Sequence, residues 1–109
     1  MSFPIEKFKI NGMAWPLNLA SQYENLEDKY FEFQKKSKEK FGHPVSLKPN
    51  LLSTFFHELA TDEAVINSIK KIIGENIYIW SSAFFPKAPG EGKIEGYHQD
   101  NPYWQLTTE

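Results

Sequence analysis

Hydrophobic and polar positions along this chain change rhythm at Gly74: before it, apolar residues recur every three or four positions, and after it they crowd together. In "SQYENLEDKYFEFQKKSKEK" the residues Tyr23, Leu26, Tyr30 and Phe33 share one helical face, and no Gly or Pro interrupts Ser21 to Lys40. Acidic residues dominate the first half of that stretch and lysines the second, as a helix dipole favours, and Gly42 and Pro44 end it. Lys48-Pro49 opens a second helical segment, "NLLSTFFHELA", with Leu52, Phe55, Phe56 and Leu59 on one face. A third helix follows, with Thr61 as its N-cap and Asp62 and Glu63 in its first turn. Val65, Ile66, Ile69, Ile72 and Ile73 form its expected buried stripe, Lys70 and Lys71 sit near its end, and Gly74 suits the C-cap.

Beyond Gly74, "NIYIWSSAFF" (76–85) is rich in β-branched and aromatic residues and predicts a strand. "PKAPGEGK" predicts a loop, and "IEGYHQDN" a second strand returning beside the first. Near the N-terminus, Pro4, Gly12 and Pro16 punctuate the chain, so "FKINGMAWP" reads as a short extended piece and a turn. The expected class is α+β in one domain over 1–109, helical across 20–74 and strand-forming across 76–106. Two strands make no stable sheet alone, so something must cover or complete them.

Composition narrows the chemistry. A chain of 109 residues supports one domain with a modest core, and nine Phe, five Tyr and three Trp predict a core or pocket built from rings. The net charge is −2 and all twelve basic residues are lysines, which argues against a nucleic-acid partner. With no cysteine, any metal must be held by oxygen and imidazole nitrogen. No signal-peptide pattern and no long apolar run is present, so no membrane partner and a cytoplasmic location are expected.

The most chemical stretch is "EGYHQDNPYWQL" (95–106). On a strand, His98 and Asp100 project to one face about 6–7 Å apart at Cα, close enough to converge on one ion. With a second imidazole they would form the facial triad that leaves positions open for cosubstrate and dioxygen. The competing reading is a polar turn held by the aspartate. His57 lies about 100° round the helix from Phe56, on the polar side, and His43 sits in a turn, so neither has helpful spacing. Lys48 and Lys87 read as solvated lysines, and Tyr103 and Trp104 as either a pocket wall or ordinary packing. There is no phosphate-binding loop and no serine in a nucleophile-elbow context.

Taken in order, these segments resemble the phytanoyl-CoA dioxygenase family of non-haem iron, 2-oxoglutarate-dependent oxygenases. "KPNLLSTFFHELATDEAVINSIKKIIGENI" is similar to that family's lysine, apolar helix and short helix ending in Gly-x-Asn. "YIWSSAFFPKAPGEGKIEGYHQDNPYW" is similar to its first core strand, Lys-x-Pro loop and His-Gln-Asp segment. The resemblance covers residues 8–106, most specifically from Lys48 onward. It implies a double-stranded β-helix (jelly-roll) core, with Fe(II) as cofactor and 2-oxoglutarate as cosubstrate. His98 and Asp100 match its metal ligands, while Lys48, Ala83 and Gln99 fall at positions near the cosubstrate. It implies a small-molecule or carrier-bound substrate and dioxygen as partners.

The carboxylate of Asp100 favours hydroxylation over the chemistry of halogenating relatives, which carry a small residue there. The family's distal histidine and its 2-oxoglutarate-gripping arginine come far downstream, and this chain contains no arginine. The resemblance therefore implies the N-terminal portion of an oxygenase, truncated past the first metal motif and inactive alone. The alternative class is a small non-enzymatic α+β binding protein in which His98 and Asp100 are structural. Substrate and oligomeric state are not legible in the sequence.

Overall fold

A computed structural model of the chain describes residues 3–14 and 23–100. Four α-helices follow one another: α1 (Ile5–Asn11), α2 (Leu26–Phe41), α3 (Thr54–Ala60) and α4 (Glu63–Ile73), with a 3-10 turn at Pro49–Leu51 ahead of α3. Residues 74–100 form no helix and no strand, and the chain turns at 89–90.

The first helix corrects the expectation of an extended N-terminal piece. Pro4 stands at its N-cap, and Gly12, at φ 70°, donates its backbone N–H to the Phe8 carbonyl at 2.8 Å. The two residues read as breakers are its boundaries, a role proline and glycine also fill at helix ends. Phe3 and Phe8 brace the entry with ring centroids 5.9 Å apart.

α2 ends as the sequence indicated, on a left-handed Gly42 whose N–H reaches Lys38 O at 2.9 Å. The second helical segment breaks in two. Ser53 adopts an extended backbone and its side chain accepts from the Phe56 N–H, so α3 starts afresh at Thr54. α4 begins one residue later than expected. Asp62, not Thr61, is the N-cap, accepting from Ala64 N at 2.9 Å and Val65 N at 3.4 Å. The carboxylate is the better partner for a positive helix end. Tyr23 Oη donates to the other oxygen of Asp62 at 2.8 Å, tying the approach to α2 to the start of α4.

Rings make the centre. Phe56, 6% exposed, is the buried aromatic residue among those described, and Phe33, Phe55 and Phe84 pack edge-on against it at centroid distances of 5.3, 5.2 and 4.9 Å. Tyr30 joins through Phe84 at 5.0 Å. The α4 stripe is a correction of a different kind. Val65 and Ile66 are half-buried, but Ile69 and Ile72 are exposed and Ile73 is 66% exposed, so the stripe is apolar without being enclosed.

The expected strands over 76–106 are likewise not formed among the described residues. Leu47 and Ala83 make one isolated antiparallel bridge, in which Lys48 N–H donates to Ser82 O at 2.7 Å and Phe84 N–H to Ser46 O at 2.9 Å. A strand exists only through its neighbour's hydrogen bonds, and here the arm from 76 to 100 meets a partner at one point. The jelly-roll part of the expected fold is thus not seen as a sheet among the described residues. Gln34 grips the return segment before this bridge, donating to Val45 O at 2.8 Å and accepting from Val45 N at 3.0 Å.

Candidate metal and cosubstrate site

The sequence-predicted residues fall into two groups. The first is the end of the extended arm. His98 Nε2 stands 3.4 Å from Asp100 Oδ1, with the two side chains 50% and 72% exposed. They stand together although no strand forms at 98–100. His98 Nδ1 donates to the Gly96 carbonyl at 2.9 Å. A ring whose Nδ1–H is held by a backbone carbonyl presents Nε2 as its basic nitrogen, the arrangement common to ligating histidines. That hydrogen bond is also the main reason the His98 pKa lies above the usual imidazole value, with the charges of Asp100 and Glu95 adding to it. Gln99 between them is exposed.

The donor set suits a divalent first-row ion. Atoms sharing one such ion by bonds of about 2.0–2.2 Å stand roughly 3–3.5 Å apart at ordinary ligand angles, and the His98–Asp100 separation lies in that range. One imidazole and one carboxylate are two members of a 2-His-1-carboxylate triad. Among the described residues no His, Cys, Asp or Glu completes a group of three. His57 is exposed on α3, and His43 is exposed with Nδ1 against its neighbour's carbonyl, Pro44 O, at 2.9 Å. Tyr103 and Trp104 lie outside the described residues.

The second group is brought together by the bridge. Lys48 and Ala83, 35 positions apart in the chain, become neighbours because Leu47 pairs with Ala83. Lys48 takes up a left-handed backbone, φ 55°, which turns the chain into the 3-10 turn at Pro49. Its exposed ammonium forms no hydrogen bond or ion pair among the described residues.

Two residues that sequence reasoning passed over hold this arrangement. Ser82 donates its hydroxyl to the Asn50 side-chain oxygen while its carbonyl receives the Lys48 N–H. Asn50 therefore ties the Pro49 turn to the extended arm. No periodicity marks such a pair, and Asn50 was read only as the start of a helical segment. Lys87, in the loop that turns at Gly90, is exposed.

The comparison with protein families defines the class: the chain is of the dioxygenase type. It belongs to the phytanoyl-CoA dioxygenase family, whose profile matches residues 14–109, a span that includes Lys48, Ala83, His98, Gln99 and Asp100. Members of this family are generally dependent on Fe(II) and 2-oxoglutarate. Neither the curated proteins nor the solved structures contain a match to the chain. No helix among the described residues is long and apolar enough to cross a membrane.

Proposed function

We propose that the protein works as an Fe(II)- and 2-oxoglutarate-dependent dioxygenase of the hydroxylase type on a small organic or carrier-bound substrate. The observation that carries this reading is the His98–Asp100 pair, with Nε2 and Oδ1 3.4 Å apart on a segment inside the family match. His98, through Nε2, and the Asp100 carboxylate hold the iron. The iron supplies dioxygen activation coupled to oxidative decarboxylation of 2-oxoglutarate.

The remaining residues bind and orient. The Gly96 carbonyl fixes the His98 ring by accepting from Nδ1. Lys48 offers an ammonium to a 2-oxoglutarate carboxylate, and the small side chain of Ala83 leaves room beside it. The Gln99 amide, between the two ligands, donates to a cosubstrate oxygen. Asp100 keeps the carboxylate that hydroxylation needs and that halogenating relatives replace. The third ligand of the triad is not among the described residues.

Anaerobic titration with Fe(II) and 2-oxoglutarate tests the reading. A visible charge-transfer band that appears in the parent protein and vanishes in His98→Ala and Asp100→Ala is the expected result. Iron binding and band intensity unchanged in both variants would refute the assignment of the ligands.

A further inference from the structure

Away from the His98–Asp100 pair, α2 and the chain entering α3 border a half-open groove of about 400 Å³. Small-molecule sites span roughly 300–1,000 Å³, so it is of ligand size. Its floor is aromatic and aliphatic, with Phe33 and Phe41 from α2 facing Leu52, Phe55 and Phe56. Its rim is cationic. Lys29, Lys36 and Lys40 stand along it against a single carboxylate, Glu32, which Lys36 already holds at 2.7 Å. Lys29 and Lys40 lie over the Phe55 and Phe41 rings, 5.7 and 5.4 Å from their centroids, and neither forms an ion pair among the described residues, although Lys29 acts on the Glu32 charge.

The decisive feature is Ser37. It is 3% exposed and lines the cavity, yet its side chain makes no hydrogen bond among the described residues. No buried side-chain oxygen is left both sealed and unpaired, so its hydroxyl opens on the cavity rather than into the protein. A buried hydroxyl normally finds a partner, because going without one costs free energy. Here solvent or a ligand in the groove can supply it.

We propose that this groove binds a small organic monocarboxylate with an aromatic or short aliphatic body. The carboxylate would accept from the Ser37 hydroxyl and pair with the neighbouring lysines, and the apolar body would lie on Phe33, Phe55 and Phe56. The inference is independent of the iron chemistry, since no residue of the groove belongs to that site.

Amide NMR shifts of the 109-residue chain, titrated with 2-naphthoate and in parallel with neutral 2-naphthamide, provide the test. Saturable shifts are expected at Ser37, Leu52 and Phe55, with the carboxylate bound about fivefold more tightly than the amide. Ser37→Ala and Lys36→Gln should each weaken 2-naphthoate about threefold with circular dichroism unchanged; the first removes a small buried group and the second an exposed one. Equal affinity for acid and amide, no saturation by about 5 mM, or variants that bind like the parent would each overturn the proposal. Concentration-dependent shifts of the same amides in the free chain would also overturn it, by showing a second copy in the groove.

Discussion

The rings of Phe56 on α3 and Phe84 on the extended arm stand 4.9 Å apart, centroid to centroid, at an interplanar angle of 76°. Edge-to-face pairs at such distances add attraction to the burial of both rings. Phe84 also meets Tyr30 and Phe33, so one side chain of the arm is inserted among rings of both α2 and α3. It follows Ala83, and its own N–H bonds to Ser46 O.

Anchoring and bridging should therefore fail together. Phe84→Ala, at a half-buried ring, is expected to cost about 2–3 kcal/mol, less than Phe56→Ala at the buried one, for which about 3–5 kcal/mol is expected. Urea denaturation measures both. In Phe84→Ala, hydrogen exchange at the Lys48 amide should also accelerate, because its acceptor Ser82 O is then held by the Asn50 contact without the ring anchor two residues on. Unchanged exchange there would separate the bridge from the ring.

Asp62 serves two masters, capping α4 with one oxygen and accepting from Tyr23 Oη with the other. Asp62→Ala should lose about 1–2 kcal/mol, Tyr23→Phe about 1 kcal/mol. A double-mutant cycle should show that the two effects do not add, since both remove the same hydrogen bond. Additive losses would place the Tyr23 hydroxyl's contribution elsewhere.

Lys48 separates conformation from chemistry. Its φ of 55° is unfavourable for a side chain with a Cβ, so Lys48→Gly should be neutral to about 1 kcal/mol stabilising. Lys48→Ala keeps the Cβ and should gain nothing. Both variants lose the ammonium, and 2-oxoglutarate affinity is expected to fall about tenfold in each. A stable Lys48→Gly variant that binds the cosubstrate like the parent would remove Lys48 from the site.

His98 gives the pH dependence. Its hydrogen bond to Gly96 O, then the charges of Asp100 and Glu95, raise its pKa above the ordinary imidazole value. A raised folded-state pKa means that the associated stability is present below the unfolded value and fades as pH rises through the folded one. Iron binding runs the other way, because a ligating imidazole must be deprotonated, so affinity should climb across that same rise. Asp100→Asn should lower the His98 midpoint in an NMR titration without removing the whole elevation, since the Gly96 contribution persists. A midpoint that does not move would exclude the Asp100 charge as a cause.

The helices most legible in the sequence were α2 and α4, where apolar spacing, charge order and a following glycine agreed. Their ends depended on details that periodicity does not carry. Thr61 and Asp62 are both acceptable caps, and the choice fell to the residue whose second oxygen could also take the Tyr23 hydroxyl. α1 was missed because its Pro4 and Gly12 signal interruption in a linear reading, whereas both are favoured at the limits of a helix. His98 and Asp100 were legible because their spacing is local. Asn50 and Ser82, 32 positions apart, were not, since their contact depends on where the arm returns.

By itself the sequence determined the local units: three of the four helices, the end of the last of them at Gly74, and the pairing of an imidazole with a carboxylate two residues on. Each depends on spacings of four residues or fewer. Only the tertiary structure decided what these units meet. It put Phe84 among the rings of α2 and α3, set Lys48 beside Ala83, left the α4 stripe unenclosed, and aligned lysines and a buried serine along one groove. Such contacts join residues far apart in the chain, and the alternation or helical period of either partner does not encode the other. What selects them is shared burial and hydrogen bonding, which exist only once the segments have come together.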